Sequence, residues 1–182
     1  IYDISSKQLT EVAPSTVDLL LPSGAENLNY VLYTDESPYK MQREWLDRLP
    51  FDIYSVNVHT GAKRLIGRSY RTAPKWSVNG KWAVMYDPIA QVWNKFDGAT
   101  GKVVNISDAI GYPMFVESYD KPAPAPAYGI AGWTADGNNV FLYDAYDWWK
   151  IDLTGERQPE CLTKGYGRKH GKSIRKMTSN ID

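Results

Sequence analysis

The chain has 182 residues, with 21 basic and 21 acidic side chains, so no net field draws in nucleic acid or an anionic membrane surface. One cysteine, Cys161, excludes an internal disulfide framework, and the apolar run at residues 17–21 is far too short to span a membrane. Thirteen Tyr and seven Trp suit half-buried pleated surfaces, while eleven Pro and fourteen Gly interrupt the chain too often for long helices.

In chain order, residues 1–14 read as the end of a preceding strand unit, Ile1-Tyr2-Asp3-Ile4 running on to Leu9-Thr10. Residues 28–68 hold a fuller unit. Tyr30-Val-Leu-Tyr33 and Phe51-Asp52-Ile53-Tyr54-Ser55-Val56 are strands, Thr60-Gly61 is a turn, and Lys63-Arg-Leu65-Ile66 is a closing strand. Between the first two strands, Met41, Trp45 and Leu46 sit at helical spacing, so 40–49 reads equally as a short helix or an irregular loop.

Residues 72–108 and 127–164 state one phrase twice, 57 residues apart. Trp76-Ser-Val-Asn79-Gly80-Lys-Trp82-Ala-Val-Met-Tyr86 returns as Trp133-Thr-Ala-Asp136-Gly137-Asn-Asn-Val140-Phe141-Leu-Tyr143. Asn-Gly and Asp-Gly are strong hairpin signals, because these pairs accept positive φ at little strain. A second aromatic strand follows in each copy, around Trp93 and around Trp148-Trp149, then a turn at Gly101 or Gly155, then a short closing strand. Residues 165–182 read as a basic, solvated connection to a next unit, carrying Arg168, Lys169, His170, Lys172, Arg175 and Lys176. Self-similarity at this period points to an all-β chain, a partial β-propeller of about three four-stranded antiparallel blades. Three blades do not close a ring, and with a chain that starts at Ile1 this suggests a fragment whose uncovered faces favour self-association. The expected repeat anchors are Trp76, Asn79, Gly80, Trp93, Gly101, Trp133, Asp136, Gly137, Trp148, Trp149 and Gly155.

Catalytic equipment is not recognisable in the sequence. His59 and His170 stand far apart with no metal-like spacing to Cys161, and neither a G-x-S-x-G elbow nor a phosphate-binding glycine loop occurs. Asp144 and Asp147 bracket Ala145-Tyr146 in a way that could suggest a cation loop. Acids at a strand-to-strand turn more often accept backbone hydrogen bonds, so neither a metal nor a cofactor is expected. Asn105-Ile106-Ser107 matches a glycosylation sequon, but inside an expected strand.

Tyr128-Gly129-Ile-Ala-Gly132-Trp133-Thr, Leu142-Tyr143-Asp144-Ala-Tyr146-Asp147-Trp148-Trp149, Leu162-Thr163-Lys-Gly165, Ser37-Pro38-Tyr39-Lys40 and Asp120-Lys-Pro122 resemble the propeller of prolyl-oligopeptidase-family serine peptidases. The likeness is to the dipeptidyl-peptidase and acylaminoacyl-peptidase group, especially its secreted bacterial members, and covers roughly residues 29–175. Related repeats also occur in TolB-like propellers. The resemblance implies a non-catalytic segment of a secreted or periplasmic peptidase. In that setting the rest of the propeller and an α/β-hydrolase domain are its partners in the parent chain, and the propeller caps the active site and admits peptides. The alternative is a TolB-like scaffold that binds proteins or glycans. None of the family's catalytic Ser, Asp and His maps onto this chain. Its glutamate pair for substrate amino termini has no counterpart either, so no substrate contact is assigned.

Overall fold

The computed structural model describes residues 2–3, 7–14, 17, 19–23, 29–46 and 48–176. Their strands form three four-stranded antiparallel sheets and one two-stranded pair. The pair joins β1 (Tyr2–Asp3) to β2 (Gln8–Leu9). The first sheet runs β3 (Leu19–Leu21), β4 (Tyr30–Asp35), β5 (Phe51–Asn57) and β6 (Lys63–Tyr70). The second runs β7 (Lys75–Trp76), β8 (Trp82–Asp87), β9 (Val92–Asp97) and β10 (Val103–Asn105). The third runs β11 (Ile130–Trp133), β12 (Asn139–Tyr143), β13 (Trp148–Asp152) and β14 (Glu160–Cys161). In each sheet sequential strands are spatial neighbours, so each is a simple meander.

The pleat of β8 explains how the sheets stack. Alternate side chains leave opposite faces of a strand. Ala83 and Met85 pack with Leu32, Phe51, Ile53 and Tyr70 of the first sheet. Val84 and Tyr86 pack with Val140, Leu142 and Ile151 of the third sheet and with Leu153 just beyond it. A strand covered on both faces needs apolar residues at every position, which is why 82–86 reads as a continuous run rather than an alternation. Register carries the same division onto β9, where Phe96 lies opposite Ala83 and Trp93 opposite Tyr86. The middle sheet is thus sandwiched between two neighbours, and the chain is a partial β-propeller of three blades.

One boundary differs from the sequence expectation, and two segments gain detail. The first blade opens at Leu19–Leu21, upstream of residue 28. This strand has no polar alternation: Leu19 and Leu20 are exposed and only Leu21 reaches the inter-sheet core. The helical spacing at 40–49 gives a 3₁₀ segment at Ser37–Gln42 followed by turns. Met41 and Trp45 are 91% and 83% exposed, so no buried apolar face supports an α-helix there. The connection after the third blade is mostly exposed, as a solvated segment would be, and carries a short helix, α1 (Tyr166–His170), in which only Gly167 is buried. Between β10 and β11 a long linker sends Ile110 and Met114 into the core, and its Phe115 bridges to Ala127. No helix among the described residues is long and apolar enough to cross a membrane.

Candidate functional site

The repeated turns meet at equivalent places on adjacent blades. Asn79 uses its Oδ1 to accept the amide of Lys81 at 3.0 Å, closing its own turn. Its Nδ2 donates to the Asp136 carbonyl at 2.8 Å, reaching the same position of the next repeat. Gly137, at φ 70°, is required there twice over: a Cβ would be strained and would sit 2.6 Å from Asn79 Cγ. Trp76 and Trp133 occupy corresponding first strands and pack against the two successive inter-sheet cores. Both are half-buried rather than fully buried. Trp76 donates its indole N–H to the Leu21 carbonyl of the preceding blade at 3.0 Å and meets Phe96 edge-on. Trp93 is buried against Tyr86, and its Nε1 finds no hydrogen-bond partner among the described residues. Gly80 closes the first repeated turn by donating its N–H to Ser77, Gly101 gives its carbonyl to Arg64, and Gly155 lies 3.8 Å, by its missing Cβ, from Lys95 Nζ.

At the opposite end of the blades the richest polar site is built on the third blade. Asp144 and Asp147 bound the tight β12–β13 turn, and both side chains are buried. Asp144 Oδ1 accepts the amides of Tyr146 and Asp147, each at 2.6 Å. Its Oδ2 accepts Trp149 Nε1 at 2.9 Å and the Arg168 guanidinium at 3.0 Å. Asp147 accepts the Thr163 hydroxyl at 2.6 Å and the amides of Gly167 at 2.9 Å and Arg168 at 3.1 Å. A buried carboxylate costs several kcal/mol of lost hydration unless donors replace the water, and here they do. Each oxygen is committed to protein donors, which leaves neither acid free to hold a cation. Among the described residues no group of three or more His, Cys, Asp or Glu is placed to bind a metal.

Arg168 locks the arrangement from the far side. Its guanidinium carbon lies 3.8 Å from the Tyr112 ring centre and 5.1 Å from that of Tyr146, so cation–π attraction adds to the ion pair. Gly167 makes the approach feasible, since a Cβ would fall 2.5 Å from the Tyr146 carbonyl oxygen. The chain then crosses the outer face of the third blade. Trp148 donates its indole N–H to Ile174 at 2.9 Å, Ile174 donates to Tyr146 at 2.8 Å, and Arg175 lies 4.6 Å over Tyr143. Residues 143–176 thus form one clasp. Burial alone would raise the Asp147 carboxyl, yet the bonds from Thr163, Arg168 and Gly167 together hold it below its ordinary value.

Sequence reading located Trp148, Trp149, Asp144 and Asp147 but missed Arg168 and Arg175, grouped with solvated basic residues although Arg168 reaches a buried carboxylate and the exposed Arg175 folds back over Tyr143 to the Asp144 and Ala145 carbonyls. It also missed a repeated cap. Asp87 accepts the amides of Ile89 and Ala90, just as Asp144, at the same 57-residue offset, accepts those of Tyr146 and Asp147. Asn57 and Asp97 cap the other hairpin turn of the first two blades in the same manner, and Asp152 caps that of the third by accepting the amides of Thr154, Glu156 and Arg157. An acid or amide closing each strand before a turn was the available signal. His59 serves locally, its Nε2 3.2 Å from Asn29 Oδ1. Ser107 of the sequon is buried and accepts the Trp93 amide at 2.9 Å, the role Thr163 plays for Trp148.

No family model and no curated protein matches the sequence. Among solved structures, TolB from Acinetobacter baumannii is similar at 14% identity and a TM-score of 0.39, over 88% of this chain and 36% of that one. This chain therefore spans little more than a third of that neighbour, and at such distance the likeness assigns no role to any residue.

Proposed function

We propose that the chain is a non-catalytic propeller segment of a serine peptidase, standing over an α/β-hydrolase domain of the same parent and limiting access to peptides. The observation that carries this reading is the composition of the clasp. The phrases that resemble the prolyl-oligopeptidase propeller, from Tyr143 to Trp149 and from Leu162 to Gly165, are the ones that supply its hydrogen bonds. Tyr128 joins them beneath Arg175, 5.5 Å away. The clasp fixes where residues 172–176 leave the third blade, and so fixes the seat of whatever covers that blade's outer face. In this reading a fourth blade sits there, and the parent protein works in the periplasm or outside the cell.

The test is the parent reading frame and its product. The frame is expected to continue into a G-x-S-x-G segment followed by Asp and His, and the purified parent to react with a fluorophosphonate at a serine outside residues 1–182. It should cleave short peptides while sparing folded proteins. A frame with no such segment, or a parent that never labels, would refute the peptidase reading and leave a binding scaffold.

A further inference from the structure

The first two blades enclose an open groove at the end that carries the clasp on the third. It lies where the β4–β5 and β6–β7 connections converge, and its volume is about 550 Å³, within the range of small-ligand sites. Its floor is apolar, formed by Leu49 and Phe51, both buried, with Leu19 at the mouth. Its rim is cationic: Arg48, Arg71 and Lys75 all face it. Among the described residues no ion pair engages any of the three, and the acid on the wall, Glu36, is paired with Arg43 at 3.8 Å. Asp18 and Asp47, next in sequence to Leu19 and Arg48, lie outside the described residues.

Two guanidinium forks and an ammonium beside an apolar floor select a ligand with two properties at once. Guanidinium groups match carboxylates with paired hydrogen bonds, and the floor rewards an apolar group carried close to that charge. The terminal residue of a peptide joins a carboxylate and an apolar side chain at one carbon. An aspartate or glutamate side chain supplies the charge without the apolar group. We infer that this groove binds the free C-terminus of a short apolar peptide, its carboxylate among Arg48, Arg71 and Lys75 and its last side chain on Leu49 and Phe51. Such binding involves no turnover, so it stands or falls separately from the peptidase reading.

The experiment is calorimetric titration of the 182-residue chain with Ala-Ala-Phe as the free acid, as the C-terminal amide, and with an amidated peptide carrying an internal Asp. The free acid is expected to bind, and the other two about tenfold more weakly or worse, since charge-assisted hydrogen bonds are lost. Arg71→Met should lower affinity for the acid about tenfold and leave the amide unchanged, and raised salt should weaken the acid alone. Arg48→Met, at an exposed position, should act in the same direction; unchanged urea midpoints would show both variants folded. Equal binding of acid and amide, equal binding of the internal-Asp peptide, no binding of the acid at millimolar concentration, or folded variants with full affinity would each overturn the assignment.

Discussion

Replacing Asp144 by alanine tests the clasp where it is most tightly built. The substitution removes the acceptor for four donors: the amides of Tyr146 and Asp147, the indole of Trp149 and the guanidinium of Arg168. A buried donor left unpaired costs about 1–3 kcal/mol, but these four do not sum in full, because water reaches some of them once the side chain is gone. Arg168 is 30% exposed against 0% for Asp144, so its charge is partly rehydrated when the pair breaks. Breaking a buried pair typically costs about 3–5 kcal/mol, and about 4 is expected here, a large share of the roughly 5–15 that hold a domain folded. Asp144→Asn keeps an oxygen for the two turn amides but turns an amide group toward Trp149 and Arg168, so about half that loss should remain. Urea unfolding measures both, with the m-value checked for constancy. A cycle combining Asp144→Asn with Arg168→Met should return a coupling of about 1–2 kcal/mol. A loss below about 1 kcal/mol for Asp144→Ala would show that the turn holds without its carboxylate and that the clasp is incidental.

Gly137→Ala should cost about 1–3 kcal/mol, from positive φ and the clash with Asn79, and Asn79→Ala should relieve part of it in the double variant; additive losses would mean the turns do not touch. Trp76→Ala and Trp133→Ala should each cost about 3 kcal/mol by thermal or urea unfolding, and a loss under about 1 for both would place these rings outside the core. Asp147 and Asp152 sit in burial that would raise their carboxyls, but Thr163 with the Arg168 and Gly167 amides, and Thr154 with the Glu156 and Arg157 amides, hold both below the ordinary value. With folded values depressed, their contribution is complete above the unfolded value of about 3.9 and is lost as pH falls through the folded values. Stability should therefore fall on acidification below about pH 4, less steeply in Asp147→Asn, and an unchanged slope in that variant would contradict the assignment.

Strands and turns were legible where local chemistry decides them. Asn79-Gly80 and Asp136-Gly137 select their turn whatever surrounds them, and the apolar 82–86 run reads as a strand. Leu19–Leu21 carries no such signal: it is three residues long, two of them exposed, and is a strand because it pairs with Leu32 to Thr34. Arg168 and Arg175 were illegible for a different reason. Their partners, the Asp144 carboxylate and the Asp144 carbonyl, lie 24 and 31 residues away, and a basic cluster looks the same in sequence whether it faces water or folds back on a neighbouring turn.

The links between neighbouring blades also bear on how the chain finds its fold. Trp76 to Leu21, Asn79 to Asp136 and Lys95 to Leu153 join residues 55, 57 and 58 apart. Strand pairing inside a blade closes shorter loops, even at the long β4–β5 connection from Asp35 to Phe51. Closure entropy grows only as the logarithm of loop length, so the near-equal spans give every junction nearly the same entropic barrier. Meanders should therefore form first and dock second. The order of docking is then set by side chains rather than by chain connectivity, and the second and third blades, which share the larger buried cluster and the Asn79 bridge, should associate before the first joins them.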